Sequence, residues 1–434
     1  MLKPLVLNEI CTDIIDCPHS TPKWTSSGII VIRNQNIRNG RLDLSDTSYT
    51  DIHHYSLRIK RGKPEFNDIV ITREAPMGEV CQIPENLKCC LGQRMVLLKP
   101  NNTIISPKYL LYALQSPIVQ HEIKISEGTG STVSNLRIPL LENLKIPVFS
   151  LPIQNAIAHI LGTLDDKIEL NRRMNETLES IARTIFTSWF IDFDPVRAKA
   201  EGRQPEGMDA DTAALFPNQF EEVEGQEIPK GWNRVPFYDV IDIIGGGTPK
   251  TSIDEYWNGE IPWFSVVDSP LLSDIWVIQT EKKITDKGLN NSSTRLLSVG
   301  TTIITARGTV GNVALVGVPM TMNQSCYGLK IKSELGDFFS YYQIRSIIEE
   351  LKQHTHGSVF DTVTRNTFSQ FSLTIPSNEI LSIYEKIVTP ILENIKQNLM
   401  ESNVLTEIRD ILLPKLLSGE LQIDNPEVFL EGST

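Results

Sequence analysis

The sequence predicts an α+β protein with two similar mixed α/β domains and two long helices that pack as an antiparallel coiled coil with pseudo-two-fold symmetry. Three observations lead to this prediction. The 434 residues are enough for two or three domains, each with its own core. The stretch "HSTPKW" (19–24) shares a Thr-Pro-Lys turn with "GGTPKT" (246–251). The third observation is that two apolar patterns with helical spacing, each about forty residues long, occur in the chain.

The chain contains an internal repeat. Three pairs of segments correspond at offsets of 233, 231 and 229 residues, in this order: "DIVITREAPMGEV" (68–80) with "GTTIITARGTVGNV" (300–313), "LGQRMVLLK" (91–99) with "MNQSCYGLK" (322–330), and "LKIP" (144–147) with "LTIP" (373–376). Offsets that drift by so little indicate two copies of one architecture with short loop insertions.

Each copy begins with a domain and continues into a helix. The domains, 1–150 and 229–376, contain short β-rich runs such as "GIIVIRNQNI", separated by turn residues. The helices fall in 151–191 and 377–420, where apolar residues recur mostly at steps of three and four. We therefore expect each helix to bury the apolar stripe of the other.

Three polar or helix-breaking residues interrupt the apolar patterns of the helices. Asn171 and Asn398 occupy matching places, where a polar residue either fixes the helix register or is an ordinary surface residue. Pro390 removes a backbone donor, and a kink is expected there.

Two remaining segments lie outside the repeated elements. Residues 192–228 are rich in Pro, Gly and acids without periodicity and are predicted to form an extended linker. Residues 421–434 form a C-terminal tail.

The net charge of −12 is unevenly distributed. Residues 151–228 carry 7 basic and 15 acidic side chains, and residues 377–434 carry 4 and 10, whereas the domain in 1–150 carries 17 and 14. The acidic segments are therefore either solvated faces or docking surfaces for a partner protein, and the domains remain free to bind polyanions locally.

The sequence lacks the motifs of common catalytic and cofactor sites. It contains no phosphate-binding Gly-x-x-x-x-Gly-Lys-Ser/Thr loop, no His-Glu-x-x-His, no Gly-x-Ser-x-Gly and no Pro-Pro pair of an adenine methyltransferase signature. The six cysteines show no Cys-x-x-Cys spacing and are interpreted as buried hydrophobes. We therefore expect no cofactor, no metal and no catalysis by the chain alone. With no apolar run of about 20 residues, we expect a cytoplasmic protein.

Polar and basic residues on the turns of both domains are the candidate site. Arg reads guanine, Asn and Gln read adenine, and Lys or Ser contacts phosphate. Arg73 and Arg307 are predicted to occupy equivalent loops, and Gln93-Arg94 to match Asn323-Gln324. The complete candidate set for DNA contact is His19, Ser20, Thr21, Lys23, Arg33, Arg73, Gln93, Arg94, Ser131, Thr132, Thr248, Lys250, Arg307, Asn323, Gln324, Ser325, Ser358 and Arg365.

Four segments resemble a known family. They are "IIDCPHSTPKW", "GGTPKT…YWNGEIPW", the helix with its "SWFIDFDPV" exit, and "RDILLPKLLSGEL". They resemble the specificity subunit of type I DNA restriction-modification systems over essentially the full length. The sequence departs from the pattern at its first domain, which lacks the "IPKGW" lead-in found at 228–232.

The resemblance implies a function and partners. It implies that 1–150 and 229–376 are target recognition domains, each reading one half of a bipartite, asymmetric site in double-stranded DNA. The two helices would hold these domains apart and dock two modification (methyltransferase) subunits and, through them, restriction (translocase/nuclease) subunits, with no membrane involved. The helix positions we expect to serve docking are Ile157, Leu164, Leu178, Ile185, Ile387, Leu405 and Leu412.

Two other functional classes remain open from the residues alone. The weak positive charge of the domains permits a scaffold that binds something other than DNA. A methyltransferase with an unusual cofactor site is the third hypothesis, which the missing motifs disfavour. If DNA is the ligand, the helix length should set the number of unread bases between the half-sites.

Overall fold

The chain forms two compact units. The computed structural model describes residues 3–125, 135–307, 310–331, 335–354, 363 and 365–429. The first unit comprises Met1–Ile168 with Val404–Thr434, and the second comprises Glu169–Asn403. Within the described residues, no helix is both long and apolar enough to cross a membrane.

Two of the helices are much longer than the rest. In chain order the helices are α1 Leu7–Ile10, α2 Ile52–Arg58, α3 Pro107–Gln115, α4 Pro117–Ile125, α5 Ile138–Glu142, α6 Leu151–Phe190, α7 Asp194–Ala200, α8 Ala210–Leu215, α9 Phe237–Val240, α10 Asp286–Asn290, α11 Asp337–His354, α12 Arg365–Phe368 and α13 Asn378–Ser418. Short 3-10 helices lie at Asn34–Asn36, Asp254–Tyr256, Val266–Asp268 and Pro426–Phe429.

The strands are short. They are β1 Lys3–Val6, β2 Cys11–Asp16, β3 Ile29–Ile32, β4 Ile37–Arg38, β5 Arg41–Leu42, β6 Ser48–Thr50, β7 Ile69–Thr72, β8 Val80–Gln82, β9 Cys89–Leu91, β10 Met95–Pro100, β11 Lys145–Val148, β12 Phe220–Val223, β13 Gln226–Pro229, β14 Asn233–Pro236, β15 Ile241–Gly245, β16 Trp257–Phe264, β17 Trp276–Val277, β18 Lys282–Ile284, β19 Thr302–Thr305, β20 Val313–Val316, β21 Thr321–Met322, β22 Cys326–Ile331 and β23 Ser372–Ile375.

The two units contain the same sheets. In the first unit an antiparallel sheet has the order β2-β10-β7-β8, and a second sheet, β6-β3-β9, pairs β3 with β9 in parallel. In the second unit β15-β22-β19-β20 repeats the antiparallel order and adds β17, while β18-β16-β21 repeats the parallel pair. The prediction of two similar α/β domains is confirmed.

The long helices pack antiparallel within each unit. In the first unit Ile157 and Leu161 of α6 share a core with Leu413 and Leu417 of α13. In the second unit Ala182 and Phe186 of α6 share a core with Tyr384 and Val388 of α13. Asp165 pairs with Arg409 in the first unit, and in the second Asn171 contacts Ser402 while Asn175 contacts Asn398. Residue numbers that rise on α6 therefore fall on α13 within each unit, which confirms the antiparallel pairing. Each fully buried Leu or Ile side chain contributes about 1.5–3 kcal/mol.

The helix ends and Pro390 follow from simple backbone rules. Pro152 lies in the first turn of α6, where its missing N–H removes no helical bond. Gly419, directly after α13, has a positive φ of 76°, which glycine adopts without strain. Pro390 lies inside α13, and the helix continues without a break on both sides of it.

Asparagine side chains join the two helices in the second unit. Asn171 is buried, and its Nδ2 donates to Glu401 Oε2 at 2.7 Å and to Ser402 Oγ at 3.3 Å. Asn398 Nδ2 donates to Asn175 Oδ1 at 2.9 Å. Residues 171 and 398 are 227 positions apart, and so are residues 175 and 402. The contact between 171 and 402 therefore corresponds to the contact between 398 and 175 in the repeat. They support the interpretation of Asn171 and Asn398 as register-fixing residues.

Each domain attaches to a long helix at an equivalent backbone atom. Arg41 of β5 donates from Nη2 to the Asp165 carbonyl oxygen of α6 at 3.0 Å. Trp276 of β17 donates from Nε1 to the Leu392 carbonyl oxygen of α13 at 2.8 Å. Asp165 and Leu392 are 227 residues apart, so the two acceptors occupy the same place in the repeat.

The prediction of an extended linker over 192–228 is wrong. This segment forms α7, α8 and the hairpin β12–β13. Asp209 caps α8 by accepting the Thr212 N–H at 2.9 Å, and the Phe216 ring is buried 5.2 Å from that of Trp189. A few aromatic residues therefore pack the segment onto the second unit without any sequence periodicity.

Candidate nucleic-acid interface

Three loops of the first domain meet at one edge of its main sheet. β2 and β7 end at this edge and β10 begins there, because β10 is antiparallel to both neighbours. The Arg73 N–H donates to the Arg94 carbonyl at 2.8 Å. The Gln93 side chain donates to the His19 carbonyl. The turn after β2, the loop after β7 and the loop before β10 therefore form one surface, which we name the first loop cluster (17–24, 73–79 and 91–94).

Arg73 is held inside this cluster. Its guanidinium donates from Nη1 to Asp16 Oδ1 and from Nε to the Leu136 carbonyl, both at 2.9 Å, and from Nη2 to Asn135 Oδ1 at 3.2 Å. Only 12% of the side chain is exposed. Asp16 also binds His19 Nε2 at 2.9 Å. Arg73 therefore ties the loops together and has few donors left for a ligand.

Other cations in or beside the first loop cluster face solvent. Arg94 is exposed and contacts Glu74 Oε2 at 3.1 Å, a surface ion pair that a phosphate or base could replace. Arg33 lies 5.4 Å from the centroid of the exposed Trp24 ring. Lys23, Ser20 and Thr21 are also exposed. These side chains can reach a ligand without rearrangement of the fold.

The second domain presents an equivalent surface, the second loop cluster (246–251, 306–307, 310–311 and 322–325). The Thr248 hydroxyl donates to the Gln324 side-chain oxygen, whereas in the first domain the Gln93 amide donates to the main-chain carbonyl of His19. Asn323 Oδ1 accepts the Ser325 N–H at 2.9 Å. Lys250 and Arg307 are exposed.

The backbone hydrogen bonds correct the predicted equivalences. Thr72 and Thr305 both accept a glycine N–H at 2.9 Å, from Gly78 and Gly311. The next residues, Arg73 and Ala306, donate N–H groups at 2.8 Å to Arg94 and Ser325. Arg73 therefore matches Ala306, and Arg307 lies one residue further along the equivalent loop.

The predicted equivalence of Gln93 is also displaced by one residue. Gly92 donates its N–H to the Ile32 carbonyl at 2.7 Å, and Asn323 donates to Phe264 at 2.9 Å. Gly92 therefore matches Asn323, and Gln93 matches Gln324. The predicted match of Gln93-Arg94 with Asn323-Gln324 is also one residue out of register.

Comparison with known proteins assigns the family. The family described as type I restriction modification DNA specificity domain matches residues 9–180 and again 229–409. The type I restriction enzyme HindI specificity subunit of Haemophilus influenzae is 30% identical over 373 residues, which cover 76% of this chain and 81% of that protein.

The chain belongs to the type I restriction-modification DNA specificity family.

Two further proteins resemble this specificity chain. The MjaIX specificity subunit of Methanocaldococcus jannaschii is 27% identical over 360 residues, which cover 82% of this chain and 78% of that protein. The crystal structure of a type I restriction-modification S subunit from M. genitalium superposes with a TM-score of 0.56 at 17% identity, covering 96% of each chain. The latter supports the fold alone.

Most of the positions expected to dock partners are half-buried in the specificity chain. Ile157 is buried, and Leu412 packs against the same core. Leu178 and Ile185 pack against the aromatic core of the second unit. Leu164 and Leu405 are half-buried, and Ile387 is exposed. These side chains mainly hold the helices and domains together.

Some candidate residues cannot be placed in either loop cluster. Ser131, Thr132 and Ser358 lie outside the described residues. Arg365 begins the short helix α12.

The six cysteines are free and buried, as predicted. Burial raises the pKa of the Cys11, Cys89 and Cys326 thiols to about 12, so these thiols remain protonated near neutral pH. Among the described residues, no group of three His, Cys, Asp or Glu side chains is arranged to hold a metal ion.

Sequence reasoning missed three kinds of residue in the clusters. Trp24 lies in the quoted "HSTPKW" turn, yet its exposed ring was not among the candidates. Asp16 binds both Arg73 and His19. Arg58 is a buried arginine whose guanidinium contacts the first loop cluster. No spacing in the sequence marks Arg58, because its partners are backbone carbonyl groups.

Proposed function

We propose that this chain is the DNA-reading subunit of a type I restriction-modification complex and that each domain reads one half of a bipartite, asymmetric site. Recognition would use the two loop clusters, with modification subunits supplying methyl transfer and restriction subunits joining through them. The chain itself is not catalytic in this proposal and needs no cofactor. A cytoplasmic location follows from its action on DNA.

One observation carries the proposal: the two loop clusters have equivalent backbone hydrogen bonds but carry different side chains. Gln93 and Gln324 recur, whereas Arg94 is replaced by Ser325 and Glu74 by Arg307. A common backbone would present each cluster to DNA in the same way. Different side chains on it favour different bases, because base identity is read through the donor and acceptor pattern in the major groove. Two unlike half-sites are the expected outcome.

Exposed apolar residues on the long helices support partner docking. In the first unit Val404, Ile408 and Ile411 of α13 are exposed at steps of four and three residues, so they share one helix face. In the second unit Leu170 and Met174 of α6 are exposed at a step of four. Exposed apolar stripes of this kind fit a helical or grooved protein surface. We propose these five more exposed residues as contacts for the modification subunits.

The test is the methylation pattern of DNA exposed to the chain together with its modification subunits. We expect one motif made of two different half-sites separated by a fixed number of unread bases. DNA footprinting of the assembled complex should show two protected patches. Omission of this chain is the control. A contiguous or palindromic motif, or methylation without this chain, would contradict the proposal.

A further inference from the structure

Arg58 makes an unusual set of contacts in the first domain. Its side chain is buried at the end of α2. Its Nε donates to the Leu91 carbonyl at 2.8 Å and its Nη1 to the Ser20 carbonyl at 2.9 Å. Its Nη2 donates to the carbonyl oxygens of Pro18 at 3.2 Å and Gly92 at 2.9 Å. One guanidinium thus joins the turn after β2 to the loop before β10.

These contacts restrain the backbone rather than other side chains. Among the described residues, four main-chain carbonyl oxygens accept hydrogen bonds from the Arg58 guanidinium, and the Cys90 thiol also contacts it. A buried cation is costly unless all its donors are bonded, and the planar guanidinium fixes the directions of its hydrogen bonds. The two segments that it joins carry His19, Ser20, Gln93 and Arg94 of the first loop cluster.

The second domain satisfies two of the same carbonyl groups with other residues. Gly247 lies two residues after β15 as Pro18 lies two residues after β2, and its carbonyl accepts Trp263 Nε1 at 2.9 Å. Met322 precedes Asn323 as Leu91 precedes Gly92, and its carbonyl accepts the Thr294 hydroxyl at 2.9 Å.

Trp263 and Thr294 are both buried, as Arg58 is. They also differ from Arg58 in sequence position, because they lie in β16 and in the loop after α10. The same backbone positions are therefore restrained twice by unrelated side chains, which indicates that the restraint matters more than the residue that supplies it.

We propose that Arg58 in the first domain, and Trp263 with Thr294 in the second, are positioning residues that set base specificity by fixing the loops that read DNA. The proposal rests on the proposed function. None of the three touches the DNA in it. Each holds the reading side chains at the spacing that one base sequence requires, and a small loop displacement would weaken the preference for that sequence.

The test uses the complex of this chain with its modification subunits. The target site is first defined from wild-type methylation, and duplexes are then prepared with single base substitutions in each half-site. Arg58→Met removes the donors and keeps an unbranched side chain. We expect discrimination between correct and substituted bases to fall roughly tenfold in one half-site and to stay unchanged in the other. Arg61→Ala, an exposed neighbour, is the matched control.

The second domain provides an independent arm. Thr294→Val replaces the hydroxyl group, which bonds both the carbonyl and the N–H of Met322, with a methyl group of similar size. Trp263→Phe removes the indole N–H together with part of the buried ring system and keeps an aromatic side chain. Both should lower discrimination in the half-site that Arg58→Met leaves unchanged. This reciprocal pattern is a readout that a general loss of stability would not produce.

The possible outcomes distinguish a failure of the positioning role from a failure of the proposed function. Unchanged discrimination in all folded variants, or equal loss in both half-sites, would overturn the positioning role. If Arg58→Met fails to assemble, the Thr294→Val and Trp263→Phe results decide between the same outcomes. If the wild-type complex recognises no bipartite site, the proposed function fails before any variant is compared.

Discussion

Two arginines of the first loop cluster differ in what surrounds them. Arg73 is almost enclosed and bound to Asp16, Leu136 and Asn135, whereas Arg94 is exposed beside Glu74. Hydrogen bonds between charged groups contribute about 1.5–3 kcal/mol each, while exposed ion pairs contribute about 0–1 kcal/mol. The fold therefore depends on Arg73 and much less on Arg94.

We expect substitutions of these two arginines to have opposite effects. Arg94→Ala should weaken binding of the assembled complex to its specific DNA about tenfold, with little change in the free energy of unfolding. Arg73→Ala should lower that free energy by roughly 2–4 kcal/mol, because Asp16 loses its buried partner. Denaturant unfolding of the full chain and fluorescence-anisotropy titration of DNA measure the two effects. Lys145→Ala, exposed on β11, is the control, and a stability loss confined to Arg94→Ala would reverse the assignment.

At this scale the sequence predicts which residue types line the loops but not what each one does. Arg73 directly follows an Ile-Thr pair, whereas Ala306 separates Arg307 from the second Ile-Thr pair, and the hydrogen bonds match Arg73 with Ala306. Arg58 lies outside every recognisable motif because its partners are backbone carbonyls, which any sequence would supply.

At the scale of elements, helix α11 of the second domain is attached to α13 through a carboxyl group. Glu385 Oε1 accepts the N–H groups of Phe338 at 3.2 Å and Phe339 at 2.8 Å, at the start of α11. The adjoining Gly336 leaves no room for a Cβ, which would lie 2.3 Å from the Glu385 side chain. A carboxyl group at a helix N-terminus satisfies donors that the helix itself leaves free.

The same carboxyl group makes stability depend on pH. Burial, with a smaller contribution from Asp337, raises the pKa of Glu385 to about 7, although the two N–H donors lower it. Asp337 itself pairs with Lys330 Nζ at 2.7 Å. In the unfolded chain the Glu385 carboxyl titrates near 4.5. Between these values the folded state holds a proton that the unfolded state has lost, so the free energy of unfolding falls as pH rises from about 4.5 to about 7.

We expect Glu385→Gln to remove this pH dependence, since glutamine keeps an oxygen for both N–H groups but cannot ionise. The variant should equal wild type near pH 4.5 and exceed it by on the order of 2 kcal/mol above pH 7. Tryptophan fluorescence during denaturant unfolding suits the measurement, because five of the six tryptophans lie in the second unit. Glu206→Gln, at an exposed position, is the control. A difference that does not change with pH would contradict the assignment.

The elements themselves differ in how far the sequence predicts them. The long helices α6 and α13 follow from sustained apolar periodicity and were expected within two residues of their observed ends. The structure of the segment 192–228 was not predicted, because it depends on isolated residues such as Phe216 and on the helix cap at Asp209. Tertiary packing of single aromatic residues leaves no periodic pattern in a sequence.

For the whole molecule, the net charge of −12 limits how strongly the chain alone can bind DNA. The exposed cations among the candidate residues of the two loop clusters and their surroundings are Lys23, Arg33, Arg94, Lys250 and Arg307. Each neutralised phosphate contributes about −0.9 to the slope of log K against log salt. Five contacts therefore give a slope of about −4 to −5.

We expect the isolated chain to show a slope no steeper than this and the assembled complex to show a clearly steeper one. Partner subunits would add cations that this acidic chain lacks. Binding titrations between about 50 and 200 mM salt measure both slopes on the same duplex. Equal slopes would mean that this chain supplies all the phosphate contacts.

The attachment of each domain to the main-chain oxygen of Asp165 or Leu392 bears on how such a chain can evolve. A main-chain oxygen persists through any substitution at its own position, so the helix offers the acceptor whatever residue occupies the site. Arg41 in one copy and Trp276 in the other show that unrelated donors can use it. Recombination could therefore exchange a whole domain for a divergent one, provided the newcomer brings an N–H donor to that place and apolar side chains that pack against the same helices.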